Sequence, residues 1–344
     1  MRPRLKSIDE QVIVVTGASS GIGLAVARQA VAKGAAVVLA ARNEPALQAI
    51  AGELAGSGGR VAVVAADVAN ETDVLRIADM AEDRFGGFDS WINNAAVGLY
   101  GSLEQVPLAD HQRTFAVNYF GTVHGSLVAA RRLTRRGGGA IVNVGSVLGD
   151  RAIVDQGPYA ASKHAVHGFT EALRMELERD GAGISVSLIK PIGCGTPYAE
   201  HARNYMDKPP RIPQPLYDPT IIADAILFCC EHPRRTMHIG SGGVLASFGG
   251  RLAPRITDKA IEVTGRLIQQ SPGDDGDPAM CDNLYVARRD GEVRDTRGLR
   301  MRKTSVVVNA QRLPRPSPVV TLAGAACALV LARMLATRRA VGRP

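Results

Sequence analysis

Aromatic side chains are scarce in this sequence, making up 4% of 344 residues with a single Trp. That argues against single-stranded nucleic acid as a partner, because its bases stack on aromatic rings. Cysteine is also sparse. The five residues Cys194, Cys229, Cys230, Cys281 and Cys327 form no C-x-x-C pair. Their spacing suits neither a zinc site nor a disulfide framework, so reduced thiols and a cytoplasmic setting are expected. No apolar h-region occupies Met1 to Gln11, so no signal peptide is expected. Acidic side chains are absent from residues 301–344. That absence locates the net charge of +8, because residues 1–300 carry 33 basic and 33 acidic side chains. The folded part is therefore neutral, and no nucleic-acid partner is expected for it.

What is present is an alternation of strands and helices. Apolar β-branched runs at 12–15, 36–41, 61–65, 90–93, 140–144 and 184–189 alternate with helical patterns. The helices are expected near 21–33, 45–55, 71–85, 104–136 and 159–179. Strands that are apolar throughout, not on alternate residues, belong to parallel sheets covered on both faces. The expected fold is α/β, a Rossmann-type doubly wound parallel sheet with helices on both faces, plus a C-terminal extension. Five Pro between Lys208 and Pro219 break the rhythm and predict a loop over 193–219, with a short helix at 198–205. A helix at 221–231 and a last strand at 237–239 follow. Residues 244–270 have helical character, and 271–318 read as an extended, Gly-, Pro-, Asp- and Arg-rich arm.

Four local patterns carry chemistry. Thr16-Gly17-Ala18-Ser19-Ser20-Gly21-Ile22-Gly23 joins the first strand to the first helix. Glycines there permit a tight turn and let phosphates approach the backbone, while the helix N-terminus supplies N–H donors. The second strand ends at Ala41 with no acid beside it, and Arg42 follows. A cation at that place suits a ribose 2′-phosphate and hence NADP, whereas an acid would suit NAD. Tyr159 and Lys163 stand at i, i+4 and share a helix face, where an ammonium favours phenolate. Ser146 lies 13 residues before Tyr159, and Asn118 lies 28 before Ser146. His164 and His167, close in sequence, read as ordinary helix residues.

Together with Asn93-Asn94-Ala95-Ala96 and Asp67, these patterns resemble the short-chain dehydrogenase/reductase family in its NADP-preferring form, over about 8–245. The resemblance implies an NADP(H)-dependent oxidoreductase interconverting a carbonyl and an alcohol. It implies Tyr159 as general acid/base, Ser146 holding the reacting oxygen, and Lys163 lowering the Tyr159 pKa and binding a ribose. Asn118 would hold a helix kink and a proton relay. Gly17, Ser19, Ser20, Gly21, Ile22 and Gly23 would surround the phosphates. Arg42 would mark NADP, Asp67 and Val68 would meet adenine, and Asn94 and Ala95 would flank its ribose. Ile192 and Thr196 would lie near the nicotinamide, although Pro191-Ile192-Gly193 departs from the family's Pro-Gly. The partner would be a small carbonyl or alcohol with an apolar body, and the family is commonly oligomeric. The alternative is a non-catalytic nucleotide-binding module that tethers or scaffolds through its tail.

The expected divisions are a dehydrogenase domain over 1–250, an arm over 251–318, an apolar segment over 319–336 and a basic tail over 337–344. Residues 319–332 carry no charge and are flanked by Arg312, Arg315, Arg333 and Arg338. That length is marginal for a span; a tail anchor and an in-plane helix attracted by anionic lipid both fit, beside the soluble readings of a helix docked on protein or a frayed tail. The expected location is cytoplasmic, with the tail placing the enzyme at a membrane's cytoplasmic face.

Overall fold

The computed structural model describes residues 3–242, 252–271, 282–288 and 290–313. One compact unit runs from Met1 to Val308. The apolar segment expected over 319–336 and the basic tail after it lie outside the described residues.

The alternation read from the sequence forms β1 (Val12–Thr16), α1 (Gly21–Ala32), β2 (Ala36–Ala41), α2 (Glu44–Gly56), β3 (Arg60–Ala65), α3 (Glu71–Phe85) and β4 (Ser90–Asn93). A short β5 (Leu99–Tyr100) and α4 (Leu108–Phe115) follow. A π-helical turn, Ala116–Phe120, joins α4 to α5 (Gly121–Arg135). Then come β6 (Gly139–Val144), α6 (Gly157–Arg179) and β7 (Ile184–Pro191). Caps set several helix ends. Asn43 accepts from the Ala46 N–H at the start of α2, and Gly86, at φ 72°, closes α3 in the left-handed region.

With β10 (Thr236–Ile239), seven strands form one parallel sheet in the order β10-β7-β6-β4-β1-β2-β3. The order reverses between β1 and β4, and ligands bind outside the strand ends at such a switch point. Successive residues of β1 point to opposite layers. Ile13 and Val15 pack with α1, α2 and α8 (Pro219–Glu231), while Val14 packs with α3 and α5. All three are fully buried, which explains why the run shows no polar alternation. Each such side chain contributes roughly 1.5–3 kcal/mol of transfer free energy.

The helix expected over 198–205 is shorter. α7 (Tyr198–His201) gives way to β8 (Arg203–Asn204), which pairs with β5. Asn204 explains the stop, because its side chain accepts from Met206 N–H and donates to the Met206 and Lys208 carbonyls. Such local bonds compete with a helix. β9 (Leu216–Tyr217) then leads into α8. The C-terminal extension has a helix where 244–270 reads as helical, and among the described residues of the arm a short strand and a further helix stand where an extended segment is expected. These are α9 (Pro254–Gln269), β11 (Met301–Arg302), paired with β9, and α10 (Val306–Arg312).

Candidate active site

A buried polar network places α6 against the sheet. Asn93 Nδ2 donates to Asn143 Oδ1 (2.8 Å) and Ser126 Oγ (3.0 Å), and Asn143 Nδ2 donates to Thr170 Oγ1 (2.9 Å). β4, α5, β6 and α6 are thereby pinned together with buried amides satisfied. Gly125 makes this possible, since a Cβ there would lie 2.0 Å from Asn93 Oδ1. The first two turns of α6 carry Tyr159 and, one turn on, Lys163. Ser146 caps the short turn after β6, where its Oγ accepts from Leu148 N–H at 3.1 Å.

Asn118 occupies the π-helical turn and is fully buried. Its amide accepts from Val97 N–H (2.8 Å) and donates to the Val97 carbonyl (3.0 Å) and Ser162 Oγ (3.1 Å). Ser162 in turn donates to the Tyr159 carbonyl at 2.7 Å. Asn118 thus couples the irregular turn to the backbone that bears Tyr159, and π turns recur at functional sites.

Lys163 is buried, with its Nζ 5.7 Å from the centre of the Tyr159 ring and donating to the Val144 carbonyl at 2.9 Å. Burial draws Lys163 down to about 8 and pushes Tyr159 up to about 12. The neighbouring hydroxyls of Ser146 and Tyr198 oppose that rise. Lys163 was expected to draw the phenol down. Here desolvation dominates both groups, because each loses water around its charged form. The Tyr198 ring lies 5.4 Å from that of Tyr159, edge to face, and 6.3 Å from that of Tyr100. Gly98 leaves room for it, since a Cβ there would lie 2.4 Å from the Tyr198 hydroxyl.

One cavity of about 480 Å³ joins these groups to the glycine-rich turn. Ser146, Tyr159 and Lys163 line it together with Gly17, Ser20, Gly21, Ile22, Asn94, Ala95, Ile192 and Thr196. Apolar side chains of Ile153, Ile212, Ile261 and Ile268 line it as well. A smaller cavity of about 90 Å³ continues past the turn, lined by Ser19, Arg42, Asp67, Val68 and Ala95 among others. Gly23 lies beneath, where a Cβ would be 2.1 Å from the Gly17 carbonyl oxygen. Gly17 itself has φ +65°, and a Cβ there would be 2.8 Å from Ala95 Cα. Asn94 Nδ2 donates to the Thr16 and Gly17 carbonyls (3.0 and 3.2 Å), so it fastens the turn from below. A glycine cradle, a helix N-terminus and two cavities meeting at the glycine-rich turn fit a dinucleotide.

Several participants carried no readable signal. Thr16 Oγ1 accepts from the N–H groups of Asn94 and Ala95. Asp67 was singled out for adenine, and its carboxylate also holds Arg113 at 2.6 Å. The arm after 282 lies along the glycine-rich turn. Gly291 N–H donates to the Ser19 carbonyl (2.9 Å), and Gly21 N–H donates to the Glu292 carbonyl (2.8 Å). Arg42 donates to carbonyls of the same arm. These bonds are made by backbone oxygens, which leave no trace in side-chain identity.

The family model for short chain dehydrogenases matches residues 11–207. A Bacillus subtilis relative named uncharacterized oxidoreductase YxnA is 49% identical over 261 residues, covering 75% of this chain and 73% of that protein. A 3beta-hydroxysteroid dehydrogenase of Mediterraneibacter gnavus is 35% identical over 198 residues, or 56% of this chain and 70% of that one. A Burkholderia phymatum short-chain dehydrogenase/reductase, solved in complex with NAD, superposes with TM-score 0.64 at 29% identity, covering 78% of this chain and 99% of its own. Sequence, sheet order and cavity therefore converge: the chain belongs to the short-chain dehydrogenase/reductase family and is an oxidoreductase acting on CH–OH groups.

Proposed function

We propose that this protein is an NADP(H)-dependent carbonyl reductase and alcohol dehydrogenase in which Tyr159 is the general acid/base. The nicotinamide, when bound, supplies or accepts the hydride at the reacting carbon. In the reductive direction Ser146 Oγ donates to the carbonyl oxygen and orients it. The Tyr159 hydroxyl gives its proton to that oxygen, leaving phenolate; oxidation reverses the transfer. Lys163 in its charged form favours the phenolate, while Asn118 keeps the first turn of α6 in place. The observation that carries this reading is the single cavity joining Ser146, Tyr159 and Lys163 to the glycine-rich turn. Support for NADP comes from the two cations, Arg42 and Arg288, that line the small cavity and from Ala40 and Ala41, where an acid would suit NAD.

The isoleucine-lined larger cavity suits a substrate with a bulky apolar body carrying one oxygen at the reacting end. The hydroxysteroid dehydrogenase among the relatives points the same way. Tyr159→Phe tests the mechanism. Turnover of a carbonyl panel with NADPH should vanish while NADPH still binds, and retained turnover would refute the role of Tyr159. Binding without turnover in the unaltered protein would instead favour the tethering module.

Location rests on separate features. Among the described residues no helix is long and apolar enough to cross a membrane. α9 and the residue before its N-cap expose Leu252, Ile256, Val263 and Leu267 at helical spacing, and its Ile261 and Ile268 line the cavity. We propose that this face meets a lipid surface, with the apolar segment 319–332 and its flanking Arg residues as a second contact.

A further inference from the structure

The small cavity at the adenosine end has one wall from the β2 rim and another from the arm. Arg42 belongs to the first wall, yet its guanidinium points at the second. Nη1 donates to the carbonyls of Tyr285 (3.0 Å) and Leu284 (3.4 Å), and Nη2 donates to the carbonyl of Asn283. Burial lowers its pKa, so it has already lost much of its water. A phosphate taking these donors would strip the carbonyls of Asn283 and Tyr285 of the Arg42 bonds that tie the arm down, while Leu284 would keep only Arg113 Nε at 3.0 Å. Arg42 therefore has a complete structural task within the protein.

The arm brings another cation to the same cavity. Arg288 lines it together with Ser19, Ser20, Arg42 and Asn43. Its backbone is fixed there, because Asn43 Nδ2 donates to the Arg288 carbonyl at 2.9 Å. The residue is exposed and makes no ion pair among the described residues. Asp290 lies on the same wall, but its carboxylate already accepts from Asn43 Nδ2 at 3.1 Å.

We infer that the arm completes the adenosine end of the coenzyme site: Arg42 is the fastener of the arm, and Arg288 is the side chain that reads a ribose 2′-phosphate. This rests on the NADP(H) reading above. A free guanidinium offers a phosphate paired N–H donors at no cost to the fold, whereas Arg42 would have to exchange bonds it already makes.

The test is coenzyme binding by the full chain, titrated separately with NADPH and NADH, alongside limited proteolysis of the arm. In Arg288→Gln, NADPH should bind about tenfold more weakly or worse, as for a lost charged hydrogen bond. NADH binding and arm cleavage should be unchanged. In Arg42→Gln, both coenzymes should weaken by a similar factor, and the arm should be cut faster. Selective loss of NADPH in Arg42→Gln, with Arg288→Gln unaffected, would overturn the inference and leave the NADP(H) reading standing. An unaltered protein that binds NADH as tightly as NADPH would overturn both. Tighter NADH binding that is lost in Asp290→Asn would overturn both as well, and would make the arm's acid the reader of the ribose.

Discussion

The ammonium of Lys163 donates to the carbonyl of Val144 on β6 at 2.9 Å, while the phenol of Tyr159 stands one helical turn away. Burial draws Lys163 to about 8, below the ordinary lysine value near 10.5. Between about 8 and 10.5 the unfolded chain binds more protons than the folded one, so stability rises with pH across that window. Below it the folded protein carries the full cost of a buried charge, about 3 kcal/mol. Lys163→Met should lack this pH dependence. Denaturant midpoints of both proteins at pH 7 and pH 10 should therefore differ by pH, the unaltered protein gaining about 2–3 kcal/mol relative to the variant. A difference constant with pH would show that Lys163 is not perturbed by burial.

Ser146 and Tyr198 both act on the Tyr159 hydroxyl, but at different stages. Ser146 is the donor expected to meet the reacting oxygen, so Ser146→Ala should lower kcat by about 10²–10³-fold, as for loss of one oxyanion donor. Coenzyme affinity should hold. Tyr198→Phe removes one group that opposes the rise of Tyr159, so the rising limb of the oxidation profile, where Tyr159 must be phenolate to act as base, should move to higher pH. Steady-state rates over pH for both variants would check this. An unmoved limb in Tyr198→Phe would remove Tyr198 from the proton-transfer site.

Gly23 offers a steric test of the cradle. A methyl group there would meet the Gly17 carbonyl at 2.1 Å and Asn94 Nδ2 at 2.6 Å. Gly23→Ala must therefore push the turn off Asn94. The expected results are an overpacking loss of about 1–3 kcal/mol in thermal or denaturant unfolding and loss of dinucleotide binding. Gly52 is the control, since nothing lies within 4 Å of a Cβ there and Gly52→Ala should bind coenzyme normally.

The sheet was legible because each strand is buried on both faces, as Ile13, Val14 and Val15 are, and so reads as an unbroken apolar run. The site was legible where side-chain identity does the chemistry: Tyr159 and Lys163 declare themselves by spacing on one helix face. Arg42 shows the limit. Its charge and place were readable, but its partners are carbonyls of Asn283, Leu284 and Tyr285, more than 240 residues on. Any residue offers a carbonyl, so composition could not reveal that the arm folds back. The short α7 failed for a similar reason, because Asn204 ends it through bonds to nearby main chain.

Asp110 ties that arm to the domain. It is buried, accepts from the hydroxyls of Tyr205 and Tyr285, and pairs with Arg203 at 3.2 Å; Arg203 also pairs with Asp282 at 2.9 Å. Burial alone would raise its pKa, but hydrogen bonds from Tyr205, Tyr285 and Arg203 outweigh burial and hold the carboxyl below its ordinary range. Its contribution is therefore present above about pH 4 and lost as pH falls through the lower folded value. Asp110→Asn should loosen 282–285 at neutral pH, with a cost of about 1–3 kcal/mol, since Arg203 keeps Asp282 as a partner. Hydrogen exchange of the Leu284 and Tyr285 amides would check it. Unchanged protection would show that Arg42 and the glycine-rich turn suffice to hold the arm.

The exposed stripe on α9 should bind lipid in a way that separates it from the tail. Leu252, Ile256, Val263 and Leu267 are exposed by 69–82%, and Arg255 lies among them with Lys259 and Arg266, which pair with Glu262 and Asp207. Burying such a stripe in an interface is favourable, and each nearby cation adds about 1 kcal/mol on an anionic surface. The full chain should float with anionic vesicles and less with zwitterionic ones, and added salt should weaken it through screening. A chain ending at Arg315 should keep part of the binding, and Val263→Asp in that shorter chain should remove it. Equal flotation of the shortened chain with and without Val263→Asp would clear α9 of any role. Failure of the full chain to float would refute the membrane contact altogether.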